Sequence, residues 1–406
     1  MQKNWQVGAL FGIPLFVDRS WFLILFLVTS VDANDVAVKA IAGSTWLAWL
    51  MGLTMALLLF LSVLLHELGH SLTAQAQGIQ VKSITLFLFG GLASIERESK
   101  TPFEAFAVAI AGPLVSLAIF GLCYGIRVYS PEPSLINFFA RDISRINLIL
   151  ALFNLVPGLP LDGGQMLKAI IWKATGDRLK GVRYAATSGK LLGSLAVALG
   201  LFVVLLAGDF MGLWVALLGW FIFRNASSYE RFSDLQSILL SLTAHEVMTR
   251  DFRVVNAHLS LVEFTEKYVL PQLTMAPKKA IFASSEGRYR GLIRSNSLQN
   301  IERSQWDSLE LNDIAIALEQ LESVTEDTNL AQVICRLEAL EDNFITVLSP
   351  AGAVAGIIDR AQITQAIAKQ YGLELSPEEI QKIRAERIYP KGFPVVEIAA
   401  QLQDES

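Results

Sequence analysis

Leu57-Leu58-Leu59-Phe60-Leu61-Ser62-Val63-Leu64-Leu65-His66-Glu67-Leu68-Gly69-His70 sets two imidazoles and a carboxylate at the end of an uncharged run that begins at Ala40. On a helix, residues four apart share a face, so His66 and His70 can bind one metal ion. Glu67, one position round, then reaches the activated water as a base. At average residue usage an HExxH string arises by chance in roughly one percent of chains this long, so its setting matters as much as its letters. Here the setting is chain of membrane length and apolarity, which points to a zinc hydrolase buried in a bilayer.

Composition places the chain in the membrane class, with 53% hydrophobic residues, 17% charged residues and a mean hydropathy of +0.45. The uncharged runs are Ser20 to Val31, Ala40 to Leu65, Ala105 to Ile126, Ile146 to Leu161, Leu191 to Gly208 and Phe210 to Phe223. The second and third reach the ~20 residues that span hydrocarbon. The fourth lengthens to Phe138 if Arg141 and Arg145 sit at the interface, and the last two form a hairpin broken at Gly208-Asp209. The expectation is a polytopic α-helical membrane protein with six spans. Asp18 and Arg19 precede only a short apolar stretch with no obvious small-residue cleavage site, so a signal peptide is not expected. Most Lys and Arg fall on one set of loops, from Lys3 and Arg19 through Lys168 to Arg183 and on to Arg231. The opposite set holds Lys39, Arg127, Arg141 and Arg145, so both termini are expected in the cytoplasm of a multi-pass cell-membrane protein.

Cys123 lies in a span and Cys335 in the soluble part, so no disulfide framework is expected. The net charge of -5 is spread over membrane and soluble parts, and no basic run resembles a nucleic-acid patch, which excludes that class of partner.

Two histidines leave a tetrahedral zinc one protein ligand short. Asp162 is the leading candidate for the third. It ends Asn154-Leu155-Val156-Pro157-Gly158-Leu159-Pro160-Leu161-Asp162-Gly163-Gly164, where two prolines break the fourth span and two glycines allow a sharp turn. A carboxylate beside a broken helix at membrane depth is costly and functional by default. The competing reading is an Asp that caps a helix starting around Gln165. Between the second and third spans, Ser83 to Ile95 carries strand-favouring residues around Gly90-Gly91 and is expected as a small hairpin, too short to cross.

These pieces resemble the site-2 protease family of intramembrane zinc metalloproteases, peptidase family M50, in the branch with C-terminal CBS domains. The resemblance covers nearly the whole chain and rests on His66 to His70 and Asn154 to Gly163. It implies one zinc per chain held by His66, His70 and Asp162, with Glu67 as general base and acid. Asn154 would support the developing oxyanion or position substrate, and Ala111-Gly112-Pro113 would be a packing element on the third span. It also implies a sheet beside the zinc that pairs with an extended substrate. Implied substrates are single-span membrane proteins such as anti-sigma factors or membrane-tethered transcription factors, cut within the lipid bilayer.

After Arg224 the chain turns polar, and the boundaries expected are a membrane domain 1–232, a linker 233–243, a soluble α/β pair of CBS-like repeats 244–371, and a C-terminal helix and tail 372–406. Glu246 to Thr249 with Tyr289 to Ile293 parallels Leu321 to Thr325 with Val354 to Ile358, each unit reading strand, helix, strand, strand, helix. The first helices are expected at Leu259 to Tyr268 and Leu330 to Leu340. CBS modules often bind adenine nucleotides through a G-h-x-T-x-x-D segment. The matching stretches, Gly291 to Ser297 and Gly356 to Gln362, lack its Thr and final Asp in register, leaving Ser295 and Asp359 as the residues to stand in. The other role for the module is homodimerisation or gating of substrate. His245 and His258 read as ordinary residues of this module, outside any metal-spaced cluster.

Two other classes compete with a protease. A catalytically silent scaffold or ligand sensor has no use for an intact Glu67 and a costly buried site. A transporter would show an inverted repeat of spans, and none is seen.

Overall fold

The helix that carries the HExxH motif is the longest in the protein. In the computed structural model, which describes residues 5–87, 90–131, 134–270, 279–294, 297–340, 342–390 and 393–405, α3 runs over Thr45–Ala76 from a Ser44 N-cap. Before it come β1 (Trp5–Leu10), β2 (Ile13–Val17), α1 (Arg19–Asn34) and α2 (Val36–Ala42). After it come β3 (Val81–Phe87), β4 (Gly90–Ile95), α4 (Pro102–Tyr129), α5 (Leu135–Asn154), α6 (Asp162–Thr175), α7 (Arg178–Ala207) and α8 (Met211–Ser241). The chain divides into two units, Met1–Ser233 and Asp234–Ser406.

In the first unit α3, α4 and α7 are long and apolar enough to cross a membrane by length and composition. Of the other expected spans, α1 has 16 residues, about 24 Å at 1.5 Å per residue, and α5 carries Arg141, Asp142 and Arg145. The hairpin α7–α8 turns at Gly208, which caps α7 with φ 65°.

The expected β-hairpin is present as β3 and β4, antiparallel with Phe87 opposite Gly90, but it belongs to a larger sheet. The order is β1-β2-β3-β4, with β2 parallel to β3 and β4 at one edge. The N-terminal pair was not legible because Gly8 and Gly12 interrupt the alternation of β1–β2. Ile13, Val81 and Ile84 pack on Leu68 and Ala74, so the sheet lies against the HExxH end of α3.

The second unit holds two β-α-β-β repeats. Parallel β5 (Arg253–Asn256) and β6 (Ile281–Ser285) are followed by antiparallel β7 (Arg288–Ile293), and parallel β9 (Ser323–Thr325) and β10 (Phe344–Leu348) by antiparallel β11 (Val354–Asp359). The repeats exchange edges. The short β8 (Ile316–Ala317), which leads into the second repeat, pairs with β7 of the first, and Thr249, which leads into the first, bridges to Ile357 of the second. This interlocked pair is CBS-like.

Several expectations shift here. Glu246 to Thr249, read as the first strand, is mostly a helical turn at Ala244–Val247 under a Thr243–Glu246 capping box, and the strand follows at β5. The first helix starts at Leu261 and passes into a π turn at Thr265–Val269, whereas the second spans Leu330–Glu338. Residues 233–241, read as linker, are the last turns of α8. The helix expected in 372–406 is present, and part of the expected tail forms a second one. Helices form at Pro377–Glu386 and Val395–Glu405, and Val395, Ile398 and Ala399 are at most 1% exposed in the core with Leu330, Ile334 and Leu337. The 3–4 spacing of Val395, Ile398, Ala399 and Leu402 carried that signal, obscured by Pro390 and Pro394.

Truncating Ile398 to Ala should destabilise the second unit by about 2–5 kcal/mol, seen as a lower unfolding midpoint of that unit in detergent, with zinc content unchanged.

Candidate metal centre

α3 and α6 bring the sequence-predicted ligands together. His66 Nε2 lies 3.1 Å from Asp162 Oδ2, His70 Nε2 lies 3.3 Å from the same oxygen, and the two ring nitrogens are 3.3 Å apart. Among the described residues this is the one group of three or more His, Cys, Asp or Glu with ligand atoms so clustered. His66 and His70 are 3% and 8% exposed.

The cluster passes two tests as a zinc site. A tetrahedron with edges of this size has its centre about 2.0 Å from each corner, the range of Zn–N and Zn–O bonds. The second test is chemical. His70 Nδ1 faces the Val108 carbonyl at 2.7 Å, which can only accept, so Nδ1 carries a proton and Nε2 is the ring atom left to bind an ion beside Asp162. His66 Nδ1 is held by the Ser116 hydroxyl at 2.9 Å, which orients that ring likewise. Two nitrogen lone pairs and a carboxylate oxygen then converge in a buried place, an arrangement that repels itself without a cation.

Asp162 is the first residue of α6 rather than its cap. Leu161 holds the N-cap position and makes no side-chain cap bond, which leaves the Asp162 carboxylate to the histidines. The helix therefore begins three residues earlier than the capping reading placed it.

Ala111-Gly112-Pro113 is a packing element, as expected, and it acts on a ligand: a Cβ at Gly112 would lie 2.2 Å from His70 Nε2. Glu67 is placed by β4. A Cβ at Gly91 would lie 2.4 Å from Glu67 Cγ. Asn154 is the last residue of α5, half-buried, at the start of the turn that leads to Asp162.

Sequence reasoning missed the residues that hold this frame. Ser116, fully buried on α4, gave no signal beyond being a small polar residue in an apolar run. Asn147 Nδ2 donates to Ser62 Oγ at 2.9 Å, tying α5 to α3 one turn before His66. Buried Lys168 of α6 reaches Glu98, after β4, at 2.6 Å, and Arg178 reaches the same oxygen at 3.0 Å. Burial pushes the Glu98 carboxyl up, and the two cations more than reverse this, holding it below the usual carboxylate range.

The nucleotide candidates fare differently. Ser295 lies outside the described residues. Asp359 is a helix cap: Oδ1 accepts from the amides of Ala361 and Gln362 at 2.7 and 2.9 Å, and Oδ2 accepts from Arg384 at 3.0 Å. Its carboxylate thus caps the helix and pairs with Arg384. His258 bonds Glu310 at 2.8 Å and Ser285 at 3.0 Å within the second unit.

Known proteins match this arrangement. Peptidase family M50 matches residues 54–145 and 131–197. The Synechocystis sp. protein sll0528, whose name assigns it provisionally to the zinc metalloproteases, is 40% identical over 90% of this chain and 96% of its own length. The zinc metalloprotease MJ0392 of Methanocaldococcus jannaschii is 28% identical over 91% of this chain and 97% of its own. Among solved structures, the site-2 protease from Methanocaldococcus jannaschii aligns with a TM-score of 0.40 at 30% identity, covering 56% of this chain and 96% of that one.

Ser116→Ala should weaken zinc binding about 10–100-fold, measured by competition with a chromogenic chelator. Gly91→Ala should leave zinc content intact, because its Cβ collides with Glu67 and not with a ligand. Peptide cleavage should fall by as much as about 100-fold.

Proposed function

Because the chain belongs to peptidase family M50, sharing 40% identity with a relative across 90% of its length, we propose that this zinc metalloprotease is an intramembrane endopeptidase. It cuts the transmembrane segments of membrane-anchored proteins. The observation that carries this reading is the convergence of His66, His70 and Asp162 beside Glu67, at the end of a membrane-length apolar helix.

His66, His70 and Asp162 would hold the ion. Zinc supplies a Lewis acid that lowers the pKa of a water toward neutrality and polarises the substrate carbonyl. Glu67, packed against Gly91 of β4, would take a proton from the attacking water and return one to the leaving amine. Val108 and Ser116 keep the imidazole faces aimed. Asn154 supports the oxyanion or positions the substrate from the end of α5.

A helical substrate hides its amides in its own ladder, so it must unwind before attack. β4 is an edge strand in contact with the general base, and an extended segment can add to that edge through backbone hydrogen bonds. Water reaches the site from the cytoplasmic side, as the motif's place at the end of the apolar run of α3 suggests.

The finer topology belongs to the same reading: six spans, both termini in the cytoplasm by the distribution of Lys and Arg, a multi-pass position in the cell membrane, and a membrane domain near 1–232 followed by cytoplasmic CBS-like repeats near 244–371. The repeats regulate access to the site and provide a surface for homodimerisation. Adenine nucleotide is the ligand class such repeats bring to mind, though here Asp359 is already engaged. Substrates of the expected kind are anti-sigma factors and membrane-tethered transcription factors.

Glu67→Gln should retain about one zinc per chain and lose cleavage of a co-expressed single-span substrate by at least about 100-fold, whereas Asp162→Ala should lose the metal. Cleavage by Glu67→Gln at the wild-type rate would remove Glu67 from the mechanism.

A further inference from the structure

The first strand of the membrane unit is exposed along its whole length. Every residue of β1 is exposed, with Trp5 at 55% and Val7 at 63%. The turn that follows places Phe11 at 69% exposure. From Trp5 to Val17 the chain carries no charged side chain. A hairpin bathed in water would be expected to show charge on its outer face, and this one shows aromatic and aliphatic groups.

Phe11 is also held in a conformation that its residue type resists. Its φ is +50° and that of Gly12 is +79°, between the paired Leu10 and Ile13. Such two-residue turns favour Asn, Asp or Gly at the first position. A bulky aromatic kept there is an outlier of the kind found where a side chain serves a purpose.

What surrounds the hairpin narrows the occupant. β2 ends at Val17, Asp18 caps α1, and the exposed side of α1 is a row of Phe22, Leu23, Phe26, Leu27 and Val31. Trp5 meets Phe22 edge-on with centroids 5.2 Å apart, so the apolar surface of the hairpin runs into that of the helix. Trp21 adds to the aromatic group at the same end of α1, the composition of a membrane–water interface. Edge pairing with a second copy of the chain is disfavoured by the register shift between Gln6 and Gly8, which interrupts the outer edge of β1.

On these grounds we propose that the β1–β2 hairpin is an interfacial anchor, with Phe11 at its tip, that lies among the headgroups and outermost methylenes of the lipid bilayer. The proposal rests on the reading of α1 and α3 as membrane spans. It gives the sheet two unlike edges, β4 beside Glu67 and β1 in contact with lipid, so the bilayer surface fixes the height at which β4 presents itself.

The test uses the full-length protein in phosphatidylcholine vesicles, in a Cys123→Ser, Cys335→Ser background that retains zinc. Nitroxide labels go singly at Val7, at Leu57 in the middle of α3, and at Glu286 in the soluble unit, and each is read by its accessibility to oxygen against a water-soluble nickel chelate. Leu57 should report hydrocarbon, Glu286 water, and Val7 a depth between them. In a Phe11→Asn background the Val7 signal should shift toward that of Glu286, without loss of thermal stability in detergent, because Asn tolerates the left-handed conformation. A water-like Val7 beside a lipid-exposed Leu57 would overturn the anchor and leave the membrane reading standing. A Val7 shielded from both reagents would also overturn it, since the hairpin would then be covered by protein. A water-like Leu57 would overturn the spanning reading and the anchor with it.

Discussion

Two imidazole lone pairs and a carboxylate oxygen, 3.1–3.3 Å apart in a buried place, cannot stay together without a positive charge between them. The rest of the membrane unit can be understood as the frame that enforces this approach. α3 supplies both rings at one turn's separation. α4 packs close enough, through Gly112, for its Val108 carbonyl and Ser116 hydroxyl to hold the far nitrogens. α6 starts at Asp162, so that the third ligand stands free of any capping duty. Outside this centre, Asn147 joins α5 to α3, and Lys168 and Arg178 draw α6 and α7 toward the chain that follows β4. Glu67 thus has its position set by one edge of a sheet, while the ligands have theirs set by helices.

The chemistry was legible because it is written in residue types that are rare inside a membrane. His66, Glu67, His70 and Asp162 stand out against apolar runs, and the spacing of the first three assigns their roles on a helix. Their supports were not legible. Ser116 and Ser62 are ordinary small residues of membrane helices, and only the three-dimensional approach of α4 and α5 gives them partners. The hairpin at β3–β4 announced itself through its β-branched and aromatic residues around two glycines. β1 and β2 did not, since the pairing of β2 with β3 joins residues almost seventy positions apart, and no local pattern records such a contact. In the soluble unit the periodic helix at Leu330–Glu338 was plain, whereas a π turn blurred its counterpart. Asp359, immediately before a helix, is a cap, a role its position already indicated.

The two units embody different uses of polar groups. In the membrane unit, the buried polar side chains His66, His70, Ser116 and Asn147 are tied to the metal frame. In the second unit they sit at caps and ion pairs around apolar cores, and the interlocking of β8 with β7 and of Thr249 with β11 makes neither repeat complete alone. The C-terminal helix extends that dependence, since its apolar face fills the core against Leu330 to Leu337.

The ligands come from places 96 residues apart in the chain. At ribosomal speeds of about 5–20 residues per second, the histidines are made about 5–20 s before the aspartate that completes their set. Throughout that interval the nascent chain already holds the HExxH helix and its base but lacks the third ligand. The metal site therefore stays one ligand short until α6 is made. The delay ends when Asp162 of α6 is made, with more than half of the chain still to follow.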